Sequence, residues 1–421
     1  MNVRFAATGK RTFAALRFHN YRLYFFSQIV SFSGTWMQSV ALSWLVLELT
    51  GSGTALGTVV AIQFLPTLLF GPFGGVIADR VDKRTLIIGT QTIAGLLALT
   101  LGVITITGVV ELWMVYALAA SFGLVTAIDN PSRQTFVMEM VGPADISNAV
   151  TLNSVVVNAA RVIGPSIAGV IIAVFGTGLC FVVNGVSYAA VVLALLLIRT
   201  GELHPSQRVR RARGQLREGF RYAWAEPTLR TTLIMLVVIG MLTFEFTVTL
   251  PLLSEFTFGA GASGLAAMTA LMGAGAVVGG LVIASAGPPT PRRLTLLAAA
   301  FGTIVMTISV MPSIALVYIL MPIVGGLSVS VIALSNATLQ LNSTPALRGR
   351  VMALFSVALM GSTPIGGPII GAIAEHSSPR TALAVGGVAA IAAAGFGWTQ
   401  LADQSMPAVL RRRRPRALAE G

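Results

Sequence analysis

Charged side chains are scarce in this sequence. Only 10% of its 421 residues are Asp, Glu, Lys or Arg, whereas 55% are hydrophobic. A soluble domain carries about 25% charged residues, so a chain of this composition could not cover its own surface in water. The composition therefore excludes an ordinary soluble domain and indicates a protein whose surface faces lipid.

The groups that carry most enzyme chemistry are also rare. Cys180 is the single cysteine, which excludes disulfides, and the three histidines show no metal-ligand spacing. No GxxxxGKS/T nucleotide loop is present, and GAGAVVG at 273–279 lies inside an apolar run with no preceding strand. We therefore predict no enzyme activity, no ATP hydrolysis, no metal site and no cofactor.

Long apolar runs are abundant instead. They are continuous rather than alternating, which favours helices over a β-barrel, and each can cross a ~30 Å hydrocarbon core. The first run is too long for the core of a cleavable signal peptide. We predict an all-α polytopic membrane protein with about twelve spans, near residues 22–48, 55–78, 85–108, 112–135, 147–175, 178–198, 230–255, 263–285, 293–311, 314–340, 350–374 and 380–402.

The basic residues sort to one side of these spans. With a cytoplasmic N-terminus, 26 of the 28 Lys and Arg fall on the inner side, which leaves Arg380 in an outer loop and Arg161 inside a span. Lys and Arg concentrate in cytoplasmic loops, so we predict a protein of the cell inner (plasma) membrane with both termini cytoplasmic. The net charge of +13 then reflects topology and contact with membrane lipid, and we expect no nucleic-acid binding.

The chain divides into two similar halves. The expected units are an N-terminal cytoplasmic segment, a six-helix bundle, a cytoplasmic linker, a second six-helix bundle and a basic tail, at residues 1–20, 21–198, 199–229, 230–402 and 403–421. Pro143 and Pro345 are 202 residues apart, and Pro165 and Pro368 are 203 apart. Such a parallel repeat predicts two pseudo-symmetric bundles with a substrate site between them.

The segment GGVIADRVDKR ends the second span. A glycine there lets a neighbouring helix approach, an aspartate at the membrane boundary can accept hydrogen bonds from a helix N-terminus, and the basic residues anchor the turn. The residues concerned are Gly75, Asp79, Arg80, Lys83 and Arg84. The segment resembles the signature loop G-x-x-x-D-R-x-G-R-R of the major facilitator superfamily, with Asp82 in place of the second glycine. Ala284 replaces the aspartate in the second half, so a conformational latch should be asymmetric.

A Gly-Pro element recurs in both halves. IGPSIAGVI in the fifth span resembles the G-P-x-x-G-G element of proton-antiporting facilitators, with Ala168 as the departure, and GGPIIGAIA lies in the eleventh span. We expect the small residues to let helices of opposing halves pack closely and the prolines to bend the spans; ordinary small-residue packing is the alternative. The residues are Gly164, Pro165, Gly169, Gly367, Pro368 and Gly371.

Three charged residues are candidates for proton coupling. Arg161 lies near the middle of the fifth span, where a cation needs a partner or water. Asp129 and Glu245 are the acidic residues nearest in depth, and we predict that Arg161 pairs with one of them, permanently or depending on a proton. Carbonyl bonding around Pro165 is the alternative.

The two acidic residues differ in their surroundings. Glu245 lies between two phenylalanines in an apolar span, which favours its protonated form and makes it the better proton carrier. Asp129 precedes Arg133 by four residues, so a local salt bridge explains it almost as well.

A polar stripe on the first span has helical spacing, and a shorter one lies on the tenth. Such faces suit a wet, amphiphilic cavity, and bonding between helices is the alternative. These substrate-cavity candidates are Gln28, Ser31, Thr35, Gln38, Asn336 and Gln340.

Over residues 15–405 the chain is similar to the siderophore-exporter and macrolide or multidrug efflux branch of the major facilitator superfamily. The resemblance implies proton-coupled antiport that exports an amphiphilic small molecule, by rocking of the halves around a central site. Import by proton symport or facilitated diffusion stays open, as do a channel or scramblase and a sensor that does not transport. We expect a monomer.

Overall fold

The computed structural model describes residues 13–204, 215–287 and 289–401. The predicted N-terminal segment before residue 13, the linker between residues 205 and 214, and the basic tail after residue 401 lie outside these ranges. The described residues are mostly helical, and none of them forms a β-strand. A helix satisfies its backbone hydrogen bonds internally, which an apolar segment in lipid requires.

Six long helices form the first half. They are α1 (His19–Thr50), α2 (Gly53–Arg80), α3 (Lys83–Ile106), α4 (112–141), α5 (143–175) and α6 (Thr177–Leu196). Their apolar composition and length make each of them able to cross a membrane.

A short helix in the predicted linker packs on helices of the second half, and the described residues of that half continue with eight more helical segments. They are α7 (Gln215–Ala225), α8 (Pro227–Leu242), α9 (Phe246–Leu252), α10 (Gly261–Ser285), α11 (Pro291–Ser309), α12 (Ile314–Leu341), α13 (Arg348–Met360), α14 (Thr363–His376) and α15 (Pro379–Leu401).

Gly142 divides one long helical run into α4 and α5. The run, Leu112–Phe175, has 64 residues and departs from helical geometry at Gly142, where φ is 70° and ψ is 175°. Glycine adopts a positive φ easily because it has no Cβ, and Pro143 suits the first turn of the helix that follows. As one straight helix, the run would be about 96 Å long at 1.5 Å per residue, which is far more than the ~30 Å hydrocarbon core. Divided at Gly142, the run therefore crosses the core twice.

Twelve spans result from this division. Eleven helical stretches of the described residues are long and apolar enough to cross a membrane, and the run that contains Gly142 is one of them. Counting it as two confirms the prediction of an all-α polytopic protein with twelve transmembrane helices in two six-helix bundles.

Two spans of the second half are interrupted, which the sequence-based spans do not anticipate. Residues 243–245 separate α8 from α9, and residues 361–362 separate α13 from α14. Pro364 follows the second interruption: it has no N–H to continue the α13 hydrogen bonds to the Met360 carbonyl, and in the first turn of α14 that N–H is not needed. The first interruption places Glu245 at the N-cap of α9.

Each half packs as a bundle, and the halves meet mainly along two helix pairs. In the first half α1 packs against α5 and α6, and α2 against α4; in the second, α10 packs against α12, and α11 and α8 against α15. The main pairs between halves are α2 with α14 and α5 with α10. α1 and α2 also contact α9 of the second half, so α1 and α9 can border a site shared by the halves as well.

The halves are joined at one end, which we call the closed end and define by residues 51–54 and 371–375. The Glu375 carboxylate accepts hydrogen bonds from Ser52 Oγ at 2.6 Å and from the Thr54 backbone N–H at 2.8 Å. A Cβ added at Gly53 would lie 2.6 Å from the carbonyl oxygen of Gly371. The backbones of α2 and α14 are thus in direct contact there.

Candidate functional site

Asp129 belongs to a buried polar network in the first bundle. It is 6% exposed and accepts hydrogen bonds from Thr90 Oγ1 at 2.6 Å, Gln91 Nε2 at 3.0 Å and Arg133 Nη1 at 3.3 Å. Arg133 Nη2 also donates to Gln28 Oε1 at 2.7 Å. The charge of Asp129 is therefore matched by an arginine one turn away on its own helix.

The polar stripe of α1 joins helices of the first bundle. Gln38 Oε1 accepts a hydrogen bond from Asn184 Nδ2 on α6 at 2.6 Å, and Thr35 Oγ1 lies 3.4 Å from the Tyr188 hydroxyl on the same helix. Ser31 is 1% exposed. The stripe predicted to line a cavity thus makes contacts between helices, since a period of 3.6 does not say which neighbour a face meets.

The two candidates on α12 are more accessible. Gln340 is exposed and Asn336 is half-buried. Gln340 Nε2 donates to Asn336 Oδ1 at 2.6 Å, and Arg348 Nε donates to the Gln340 carbonyl at 3.0 Å. Their role in binding a substrate stays a prediction.

Arg161 pairs with neither predicted carboxylate. Its Nε is buried and makes no hydrogen bond, and among the described ion pairs none contains Arg161. Its Cζ lies 5.0 Å from the centre of the Trp36 ring on α1. The expected pair does not form because Asp129 is bound within the first bundle and Glu245 lies against α14 in the second.

Glu245 is a buried carboxyl group at a break in a helix. It is 2% exposed, and its Oε1 is buried without a hydrogen-bond partner. A Cβ added at Gly366 would lie 3.0 Å from Oε1, and one at Gly367 would lie 3.7 Å from Oε2. The carboxyl group thus faces the glycines of α14, and Gly367 contacts Gly57 of α2 on the other side.

The two phenylalanines beside Glu245 both pack on α11. The Phe244 and Phe246 rings have centroids 5.3 Å and 6.2 Å from that of Phe301 on α11. These contacts fix the residues before and after the break against α11 of the second bundle. The position of Glu245 is therefore set by apolar packing and not by a basic partner.

The signature loop caps α3 and ties it to its neighbours. Asp82 accepts hydrogen bonds from the Thr85 N–H at 2.8 Å and the Thr85 hydroxyl at 2.7 Å. Those bonds hold the pKa of Asp82 below its usual value. The aspartate that replaces the family's glycine is thus the N-cap of α3.

The other motif residues have separate surroundings. Lys83 forms an ion pair with Glu139, and Arg84 Nε donates to the Leu195 carbonyl at 2.7 Å. Arg80 is exposed and Gly75 is buried. The Asp79 side chain lies outside the described part of the structure.

The Gly-Pro elements of the two halves meet different partners. A Cβ at Gly164 would lie 2.6 Å from Trp36 Cβ, so this glycine packs on α1 of its own half, whereas one at Gly169 would lie 2.7 Å from Ala266 Cβ in the opposing half. In α14, Gly367 and Gly371 both contact α2. The expectation of contact between halves thus does not hold for Gly164.

Pro165 and Pro368 lie inside α5 and α14, and neither proline ends its helix.

Sequence reasoning missed Glu375. The available signal was its position: Glu375 is an acidic residue in the last turn of the span that carries the GGPIIG segment. Within the described ranges, no three His, Cys, Asp or Glu side chains lie together in a way that could hold a metal ion.

Twelve apolar helices in two bundles that contact each other at one end are the architecture of a multi-pass membrane transporter. Residues 10–407 match the family described as transmembrane secretion effector, and the chain belongs to this family of major facilitator transporters. The predicted resemblance is thereby confirmed.

The relatives are named as efflux proteins or as transporters, and the macrolide efflux protein A of Streptococcus pyogenes is among the former. The multidrug efflux pump Tap of Mycolicibacterium fortuitum is 26% identical over 371 residues, which cover 85% of this chain and 90% of that protein. The staphyloferrin A transporter of Staphylococcus aureus is 30% identical over 176 residues, 42% of this chain and 44% of that protein. The match to the transporter YfiS of Bacillus subtilis covers 51% of that protein. The chain thus spans about half the length of these two relatives.

Solved structures share the fold. The nucleoside transporter NupG superposes with a TM-score of 0.71 at 12% identity, and the match covers 91% of this chain and 99% of that one. A bacterial homolog of the lysosomal transporter Spinster, in an inward-facing and occupied conformation, gives 0.69 at 14% identity and covers 94% and 98%. At these identities the likeness supports the fold alone.

Proposed function

We propose that the chain is a proton-coupled antiporter of the plasma membrane that exports an amphiphilic small molecule by alternating access, acting as a monomer with both termini in the cytoplasm. Support for export comes from the relatives named as efflux proteins. Support for the orientation comes from the 26 of 28 basic residues that fall on one side of the spans.

In this orientation the closed end faces outward. The hydrogen bonds between halves from Ser52 and Thr54 to Glu375 lie there. Another contact between halves joins Ser43 Oγ, about two turns before the end of α1, to the Thr247 carbonyl at 3.3 Å. Pro251 has no N–H, so the Thr247 carbonyl has no i+4 helical donor and is available for this bond. We interpret the conformation as inward-facing.

The burial of Glu245 without a basic partner in the described part of the chain is the observation that carries the proposal. An ionised carboxylate that is 2% exposed and has no basic partner among the described residues costs several kcal/mol. The inward-facing conformation therefore favours the protonated form. Loss of the proton places a charge beside Gly367, which contacts Gly57 across the interface, and water reaches that charge once α2 and α14 separate.

This linkage gives the order of steps expected for antiport. A substrate that binds from the cytoplasm replaces the proton, the charged carboxylate favours opening of the closed end, and an external proton restores the inward-facing state. A ligand shifts a conformational equilibrium only by its different affinity for the two states. Proton and substrate here favour opposite states.

The test uses everted membrane vesicles with an acidified lumen. Candidate amphiphiles are added while the pH gradient is followed for wild type, Glu245→Gln and Glu255→Gln. Glu255 is an exposed acidic residue of the same span and serves as the matched control. We expect substrate-triggered proton release for wild type and Glu255→Gln and none for Glu245→Gln.

Three other results of this assay would contradict the proposal. Equal proton release by Glu245→Gln would remove Glu245 as the carrier. Labelled compound that equilibrates without collapsing the gradient would indicate facilitated diffusion, and flux that does not saturate would indicate a channel or scramblase.

A further inference from the structure

Arg161 carries a positive charge that no group of the described residues neutralises. Its Nε is buried without a hydrogen bond, and no carboxylate of these residues forms an ion pair with it. A lone cation at mid-depth in a membrane is costly. Its contact with the Trp36 ring, 5.0 Å from Cζ to the ring centre, offsets only part of that cost.

The helices around Arg161 provide no acidic side chain at its level. α10 contains no charged residue, and the acidic residues of α1 and α5, Glu48 and Asp145, lie near helix ends. Asp129 is bound to Arg133. Glu245 faces Gly366 in the other bundle. Within the described ranges, no acidic side chain is therefore placed to neutralise Arg161.

Arg161 also lies at the boundary between the halves. A Cβ added at Gly273 of α10 would lie 2.7 Å from the Arg161 carbonyl oxygen, while Trp36 is on α1. Both Arg161 and Trp36 are half-buried, so part of each side chain is open to a ligand. The pair combines a fixed cation with an aromatic face at the junction of α1, α5 and α10.

We propose that Arg161 and Trp36 bind a carboxylate group of the transported amphiphile, with the Trp36 ring against the apolar part next to it. This inference rests on the proposed transport function and adds the charge of the substrate. A guanidinium presents parallel N–H donors that match the two oxygens of a carboxylate. A single cation also balances a single negative charge, whereas a phosphate dianion requires more.

The test compares two probes that differ only in the acidic group. Binding of 11-(dansylamino)undecanoate and of its primary amide to the purified full-length protein in lipid nanodiscs is followed by dansyl fluorescence, with no pH gradient. We expect wild type to bind the carboxylate at least about tenfold more tightly than the amide, as for a charge-assisted pair shielded from water. The wild-type comparison alone can refute the proposal, because equal affinities or no saturable binding of either probe would overturn it.

Variants then assign the preference to the site. We expect Arg161→Gln to abolish the preference, Arg161→Lys to keep part of it, and Trp36→Ala to weaken both probes. Arg22→Gln, at an exposed arginine of α1, is the matched control and should behave as wild type. A preference that persists in both Arg161 variants would overturn the proposal.

The outcome separates this inference from proton coupling. Carboxylate binding that depends on Arg161, without proton release in vesicles, would leave the anion site in place and refute only the coupling through Glu245. Proton release triggered equally by carboxylate and amide would support antiport and refute the anion site.

Discussion

Replacing Gly57 by alanine is expected to favour a conformation in which the closed end is open. The added Cβ would lie 2.9 Å from Pro368 Cα and closer still to the Gly367 carbonyl oxygen. Ordinary van der Waals contact of a Cβ begins at 3.4 Å, so relieving the contact with Pro368 Cα alone takes 3.4 − 2.9 = 0.5 Å. The closer Gly367 carbonyl oxygen requires α2 and α14 to separate by more than that. Both obstacles are backbone atoms, which cannot rotate away as a side chain would.

The cost falls on one conformation only. Forcing a methyl group into a packed contact costs about 1–3 kcal/mol, and the conformation with α2 and α14 apart has room for it. A difference of that size changes the ratio of the two conformations about 5- to 150-fold. The fraction of molecules with the closed end open should therefore rise.

Spin labels at the closed end measure this shift. Thr107→Cys and Ser313→Cys place one exposed label on each half, and the native Cys180 is 0% exposed and stays unlabelled. The distance between the two labels, measured by pulsed electron–electron double resonance, should be longer in Gly57→Ala than in the protein without this substitution. Gly71→Ala is the control, because it lies on the same helix and its added Cβ meets nothing within 4 Å. Identical distance distributions for both variants would refute the reasoning that this contact holds the closed end together.

Two further predictions concern stability. Asp82→Ala should destabilise the protein by about 1 kcal/mol through loss of the α3 cap, with Asp82→Asn close to wild type in thermal unfolding. The pKa of Asp82 is lowered in the folded state, so its contribution is present above the unfolded pKa of about 3.9 and lost as the pH falls through the folded value; a contribution that grows on acidification would contradict this assignment. Arg133→Gln should cost about 3–5 kcal/mol because it leaves Asp129 buried without its partner, and adding Asp129→Asn should recover part of that loss. No recovery in the double variant would show that Arg133 acts through packing alone.

The spans could be predicted because lipid leaves few choices. An apolar run of about 20 residues crosses the bilayer as a helix, and the repeat of Gly-Pro segments indicated two similar halves. The interruption at residues 361–362 had a signal in Pro364, whereas no residue pattern marked the one at 243–245. Side chains of the second bundle, such as Phe301 against Phe244, hold that break in place.

The polar face of α1 shows what helical periodicity cannot predict. Gln28, Thr35 and Gln38 share a face by their spacing, but spacing alone does not say whether that face meets water or another helix. The structure places their side chains against Arg133, Tyr188 and Asn184. Buried amides need partners: the Gln28 and Gln38 side-chain oxygens accept hydrogen bonds within the same bundle, whereas Gln28 Nε2 has no partner among the described residues.

The sequence by itself determined the class of protein and the number of spans, and it predicted the approximate depth of each charged residue, since these follow from composition and from the rise per residue of a helix. Only the tertiary structure decided which groups meet: Asp129 with Arg133, Glu245 with the glycines of α14, and Arg161 with Trp36. Depth places two residues at the same level in the membrane. Whether they touch depends on the rotation of each helix and on which helices are neighbours, and both are set by packing between residues distant in the chain.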